Sequence, residues 1–94
     1  MLIRELAYDT EDDELDLLID SIAPEPAEVI PAGDDIFLRR SVQTGRIVGA
    51  TIANYSLWRP RRLPVRGLNS ELTEVYAHIV RYLEVMKQKK PALT

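Results

Sequence analysis

The chain has 94 residues, no cysteine, one histidine and a net charge of −3. Its length suits one domain with a small core; missing thiols exclude disulfides and thiolate metal sites, and a lone His78 excludes a His-rich site within one subunit. An apolar fraction of 46% argues against global disorder, and no apolar run approaches the ~20 residues that span a bilayer, so a cytoplasmic protein with no signal peptide and no membrane contact is expected.

In chain order, Leu2–Tyr8 alternates in part, with Leu2, Leu6 and Tyr8 against Arg4, and predicts a first strand. Asp9–Glu14 is an acidic loop. Leu15–Asp20 sets Leu15, Leu17 and Ile19 against Asp16, Leu18 and Asp20, and predicts a second strand antiparallel to the first. Pro24 and Pro26 end it by removing backbone donors. Val29 and Ile30 predict a very short third strand, which Pro31 confines to an edge or a strand end. Ala32-Gly33-Asp34 reads as a turn. Ile36–Val42 and Ile47–Tyr55 then form a hairpin around Gln43-Thr44-Gly45-Arg46, where Gly45 supplies a positive φ. In the second run Val48, Ala50 and Ile52 face one way, and Ile47, Gly49, Thr51, Ala53 and Tyr55 the other. With no charge after Arg46, this strand reads as central, with protein on both faces.

Residues 57–68 form a connector whose two prolines, Pro60 and Pro64, oppose helix. A helix follows over residues 69–90, capped by Asn69 or Ser70 and stopped at Pro91. Glu71 and Glu74 suit its positive end, and Lys87, Lys89 and Lys90 its negative end. Leu72, Tyr76, Ile79, Leu83 and Met86 recur at spacings of 4, 3, 4 and 3, widened by Val75, Val80 and Tyr82. A helix of about 21 residues is roughly 30 Å long, more than a strand of this sheet covers. The excess stripe motivates a homodimer through Tyr76, Ile79, Leu83 and Met86.

Charge is divided along the chain. Residues 1–38 carry 12 acids and one base, and residues 39–94 carry 11 bases and three acids. Such a split steers a charged partner, or is satisfied within the fold or between two copies.

The motifs at Tyr8–Ile19 and Gln43–Ile52 resemble the domain-of-unknown-function 2283 family of small bacterial and archaeal proteins. Tyr8, Asp9, Glu11, Asp13 and Leu15 match its opening pattern, although Thr10 replaces a proline and Asp16 an aromatic. Gly45, Ile47, Val48, Gly49 and Ile52 match its closing pattern, with Thr51 in place of glutamate. The resemblance covers residues 1–56. It implies a small antiparallel sheet with a tendency to dimerise, and no activity; some members resemble partners of toxin-type proteins.

Three stretches could carry chemistry. Asp9, Glu11, Asp13 and Asp20 fall at calcium-loop spacings, but Glu14 stands where glycine is required and Leu15 and Leu17 continue as strand, so the EF-hand reading fails. A looser divalent-cation site or an acid/base pair is the alternative use of residues 9–14, and local turn hydrogen bonds from Asp9 and Asp13 are the simpler one. Arg59, Arg61, Arg62 and Arg66 beside Trp58 could hold phosphates and stack a base, yet a pI near 5.1 opposes nucleic-acid binding. Glu74, His78 and Tyr82 share a helix face, a spacing more typical of a surface pair than of a proton relay. Ser41, Ser56 and Ser70 have no evident base.

The expected fold is α+β: a curved antiparallel sheet of four or five strands over residues 1–56, the connector, and one long C-terminal helix, as a single domain. The expected function is a non-enzymatic, homodimeric protein-interaction module, antitoxin-like in one version, with no catalytic, cofactor or metal residues. Arg59, Arg61, Arg62, Arg66, Trp58, Tyr76, Ile79, Leu83 and Met86 are the candidate interaction residues. Nucleic-acid or anion binding through residues 59–66 is the alternative.

Overall fold

Alternating side chains decide the sheet. The computed structural model describes residues 1–59 and 68–89. Its first 58 residues form one compact unit, and Arg59–Thr94 a second. The strands are β1 (Ile3–Asp9), β2 (Glu14–Ile19), β3 (Ala27–Gly33), β4 (Ile36–Ser41) and β5 (Ile47–Ile52), followed by a 3₁₀ turn at Tyr55–Leu57. They pair antiparallel in the order β1-β2-β5-β4-β3, an open sheet with β5 in the centre. With the C-terminal helix α1 (Ser70–Lys89) this is an α+β fold, as the alternation predicts.

Register explains the two faces. Leu15 and Leu17 of β2 stand opposite Ile52 and Ala50 of β5, which stand opposite Ile36 and Leu38 of β4. These residues and Ile19 are buried and form one apolar face. The other face is mixed: Asp16 stands opposite Thr51, Leu18 opposite Gly49, and Gly49 opposite Arg39. A bulge corrects the predicted alternation in β5. Arg39 pairs with Gly49 but Arg40 with Ile47, so Val48 is the extra residue. Ile47 is thereby turned to the apolar face, where it is buried.

One strand and one turn differ from the reading of the sequence. The third strand is seven residues long rather than two, because an edge tolerates Pro31. Val42 N–H bonds the Pro26 carbonyl, and alternation from that bond turns Pro31 away from β4. The turn after β3 then lies at Asp34-Asp35, one residue late. Both have positive φ, 53° and 63°, as a two-residue type I′ hairpin requires. Gly45 has φ 74°, as predicted.

In the second unit, the Asn69 side chain accepts the Leu72 N–H at 2.8 Å and caps α1. Leu72, Val75, Tyr76, Ile79 and Leu83 are buried along one stripe, Ile79 and Leu83 at 0% exposure. Met86 is half-buried, and Val85 is 44% exposed.

The mixed face holds a tie that spans three strands. Arg39 reaches from β4 across β5 and donates from Nη2 to the Leu17 carbonyl of β2 at 3.2 Å. Gly49 lies beneath it: a Cβ there would stand 2.8 Å from the Leu17 oxygen and 3.0 Å from Arg39 Nη2. Gly49→Ala is therefore expected to destabilise the protein by about 1–3 kcal/mol, the usual cost of overpacking, read from the urea midpoint. An unchanged midpoint would mean that the strands separate without cost.

Candidate binding surface of the sheet unit

The β1–β2 hairpin concentrates the acidity of the chain. Residues 3–20 contain eight acids and one base, Arg4. Glu5, Asp9, Glu11, Asp12 and Asp20 are exposed, and Asp13, Glu14 and Asp16 are half-buried. The whole sheet unit, residues 1–58, holds 12 acids and four bases, a net charge of −8. Two ion pairs bring basic residues to acids within it, Arg39 to Asp16 at 3.9 Å and Arg40 to Glu28 at 3.6 Å.

Several of the loop carboxylates are occupied by the fold. Asp9 Oδ1 accepts the N–H groups of Glu11 and Asp12 at 2.9 and 3.2 Å, closing the hairpin loop as an Asx turn. Asp13 is placed by a left-handed φ of 54°. Its Oδ1 accepts the Tyr8 hydroxyl at 2.5 Å and the Ser56 N–H at 3.0 Å, and its Oδ2 accepts the Ser56 hydroxyl at 2.6 Å. Its carbonyl takes the Tyr55 N–H at 2.9 Å. Asp13 thus latches the hairpin tip to the segment that follows β5, and Tyr8 stacks edge-on against Tyr55 at 5.8 Å. Asp16 accepts the Thr51 hydroxyl at 2.6 Å. Among the described residues no group of three or more His, Cys, Asp or Glu is arranged to hold a metal ion.

The serines close turns too. Ser41 is buried; its hydroxyl donates to Glu25 at 2.5 Å and accepts the N–H groups of Gln43 and Thr44 at 3.2 Å each. Trp58 is only 4% exposed, and its Nε1–H bonds the Asp34 carbonyl at 3.1 Å, so its ring braces the β3–β4 turn and offers no open face for stacking. Arg59 is exposed. Arg61, Arg62 and Arg66 lie outside the described residues. Tyr76, Ile79 and Leu83 are already covered in the single chain, which leaves Met86 as the partly exposed member of the predicted helix set. Glu74 and His78 are exposed on α1, and Tyr82 is half-buried.

What remains open is the outer edge of β1. Arg4 through Asp9 are all exposed, with Leu6 at 39% and Tyr8 at 44%, and Leu2 just before the strand is exposed as well. Periodicity marks Leu2–Tyr8 as strand but does not say that it lies at an edge; strand order decides that. Arg39, Asp16 and Thr51 escaped notice for a related reason, since only register joins three strands that are distant in sequence.

No protein-family model matches this chain, and no curated protein or solved structure is similar to it. The family resemblance of residues 1–56 rests on its two short motifs alone.

The bond to Asp13 raises the Tyr8 hydroxyl above its ordinary value of 10.0; burial and the negative charge of Asp13 add to the shift. A raised value in the folded chain means that this contribution is complete below pH 10.0 and is lost as pH rises through the folded value. A tyrosinate absorbance difference between wild type and Tyr8→Phe should place the Tyr8 midpoint above 10.0, and Asp13→Asn should lower it. A wild-type midpoint at or below 10.0 would remove the latch.

Proposed function

We propose that this protein is a non-enzymatic protein-interaction module whose sheet unit captures a basic protein partner through the β1–β2 hairpin. The observation that carries the reading is the exposed acidity of that hairpin on a rigidly closed loop. Glu5, Glu11, Asp12 and Asp20 stand in solvent, while Asp9 and Asp13 hold the loop shape. A preformed acidic surface loses little conformational entropy on binding and steers a cationic partner by its field. An antitoxin-like role, in which the bound basic protein is held inactive, is the specific form of this reading. Nucleic acid is disfavoured by the charge of −8 on the sheet unit.

The reading predicts salt-sensitive binding. The full chain should bind poly-L-lysine and ignore poly-L-glutamate, with affinity falling steeply between low and physiological salt. The paired change Glu11→Lys and Asp12→Lys keeps Asp9, Asp13 and the backbone N–H groups that Asp9 holds, and should weaken binding about tenfold at low salt. Equal binding by wild type and variant would reject the hairpin as the capture surface.

A homodimer through α1 is a second reading, supported by the 44% exposure of Val85 beside half-buried Met86. Light scattering during size-exclusion chromatography should then give twice the chain mass for wild type and a folded monomer for Val85→Asp. Val85 suits this test better than Leu83, whose full burial would make an Asp substitution unfold the chain. A wild-type monomer at all concentrations would end this second reading.

A further inference from the structure

We infer that β1 is a docking edge, where an extended, basic segment of a partner protein adds as a sixth strand. This rests on the proposed capture of a basic partner and says how the partner is held. The two edges of the sheet differ. At β3 the outward positions include Pro31, which has no N–H to offer, and Pro24 and Pro26 precede the strand. Strand β1 has no proline and is exposed from Arg4 to Asp9. The Asp20 N–H bonds the Leu2 carbonyl at 2.8 Å. Alternation from that bond turns the backbone groups of Leu2 and Arg4 toward β2 and those of Ile3 and Glu5 outward. Ile3 and Glu5 thus present two N–H and two C=O groups to an incoming strand. A register shift between Glu5 and Ala7 limits regular pairing to the start of β1.

Charge selects the occupant. Asp20 lies beside one end of β1, Asp9 closes the other, Glu5 is exposed between them, and Glu11 and Asp12 follow in the loop. Arg4 is the single base of the hairpin. A strand bearing Lys or Arg at alternate positions complements this edge, and apolar residues between them meet exposed Leu2 and Leu6. A second copy of β1 does not. Identical strands paired antiparallel about a two-fold place one residue opposite itself. The register that engages both Ile3 and Glu5 sets Arg4 against Arg4, the next toward Ala7 sets Glu5 against Glu5, and the one toward Met1 sets Ile3 against Ile3 and engages only Ile3 of the two. Like charges directly opposite are destabilising, and each copy adds a hairpin of net charge −7.

The test uses the full chain and an end-blocked octapeptide of alternating Lys and Val as probe. Binding is followed by the amide resonances of the protein and by slowing of amide exchange. Docking at the edge predicts protection of the Ile3 and Glu5 amides. It also predicts that a probe N-methylated at alternate residues, with the same charge, binds about tenfold more weakly or not at all, because one row of its donors is removed. Glu5→Pro removes an outward donor, and relative to Glu5→Gln it should weaken the unmodified probe by a similar factor. If Glu5→Pro fails to fold, the N-methylated probe decides alone. Equal binding of both probes would overturn strand addition while leaving electrostatic capture by the hairpin intact. Failure of every basic probe to bind at low salt would reject both.

Discussion

Strand β5 has a neighbour on each side, so outside the bulge at Val48 its backbone groups are to be satisfied within the sheet. That requirement sets the registers of β2 and β4 together, because both are read from the same six residues. It also explains the composition of the strand. Ala50 and Ile52 meet apolar partners from both neighbours, and Thr51 gives its hydroxyl to Asp16. Gly49 leaves the room through which Arg39 reaches the Leu17 carbonyl, so one missing methyl joins three strands on the mixed face.

The acidity of the sheet unit has two physical origins. Asp13, Asp20, Asp34 and Asp35 all take positive φ, a conformation in which a short polar side chain is tolerated far better than a branched or bulky one. Asp9 is held to the backbone of its own loop. Part of the negative charge is therefore fixed by the tight turns themselves. Glu5, Glu11 and Asp12 are different: they are exposed, with ordinary backbone geometry, and the turns do not need them. The two kinds of acid can be separated by mutation, since removing the second should leave the turns in place.

Local chemistry was the legible part of this sequence. The alternation of Leu15, Leu17 and Ile19, the positive φ at Gly45 and the Asn69 cap are each written within a few residues, and each is found. The length of the third strand is not legible, because Pro31 breaks a strand in general but not one whose outward groups face solvent. Alternation alone places Ile47 on the wrong face, because the bulge at Val48 depends on β4. Trp58 beside arginines suggested a stacking platform; a carbonyl 24 residues earlier in the chain claims its indole instead. In each case the deciding partner is remote in sequence, and composition carries no trace of it.

The unequal edges of the sheet have a bearing on self-association. A sheet that polymerises edge to edge needs an accepting edge at both ends, so that each added copy recreates the one it consumed. Here one end is closed by Pro31 and the other meets its own copy with like charges. Growth by this route stops after a single addition. If β1 takes up a foreign strand as proposed, the same asymmetry opposes propagation as a fibre.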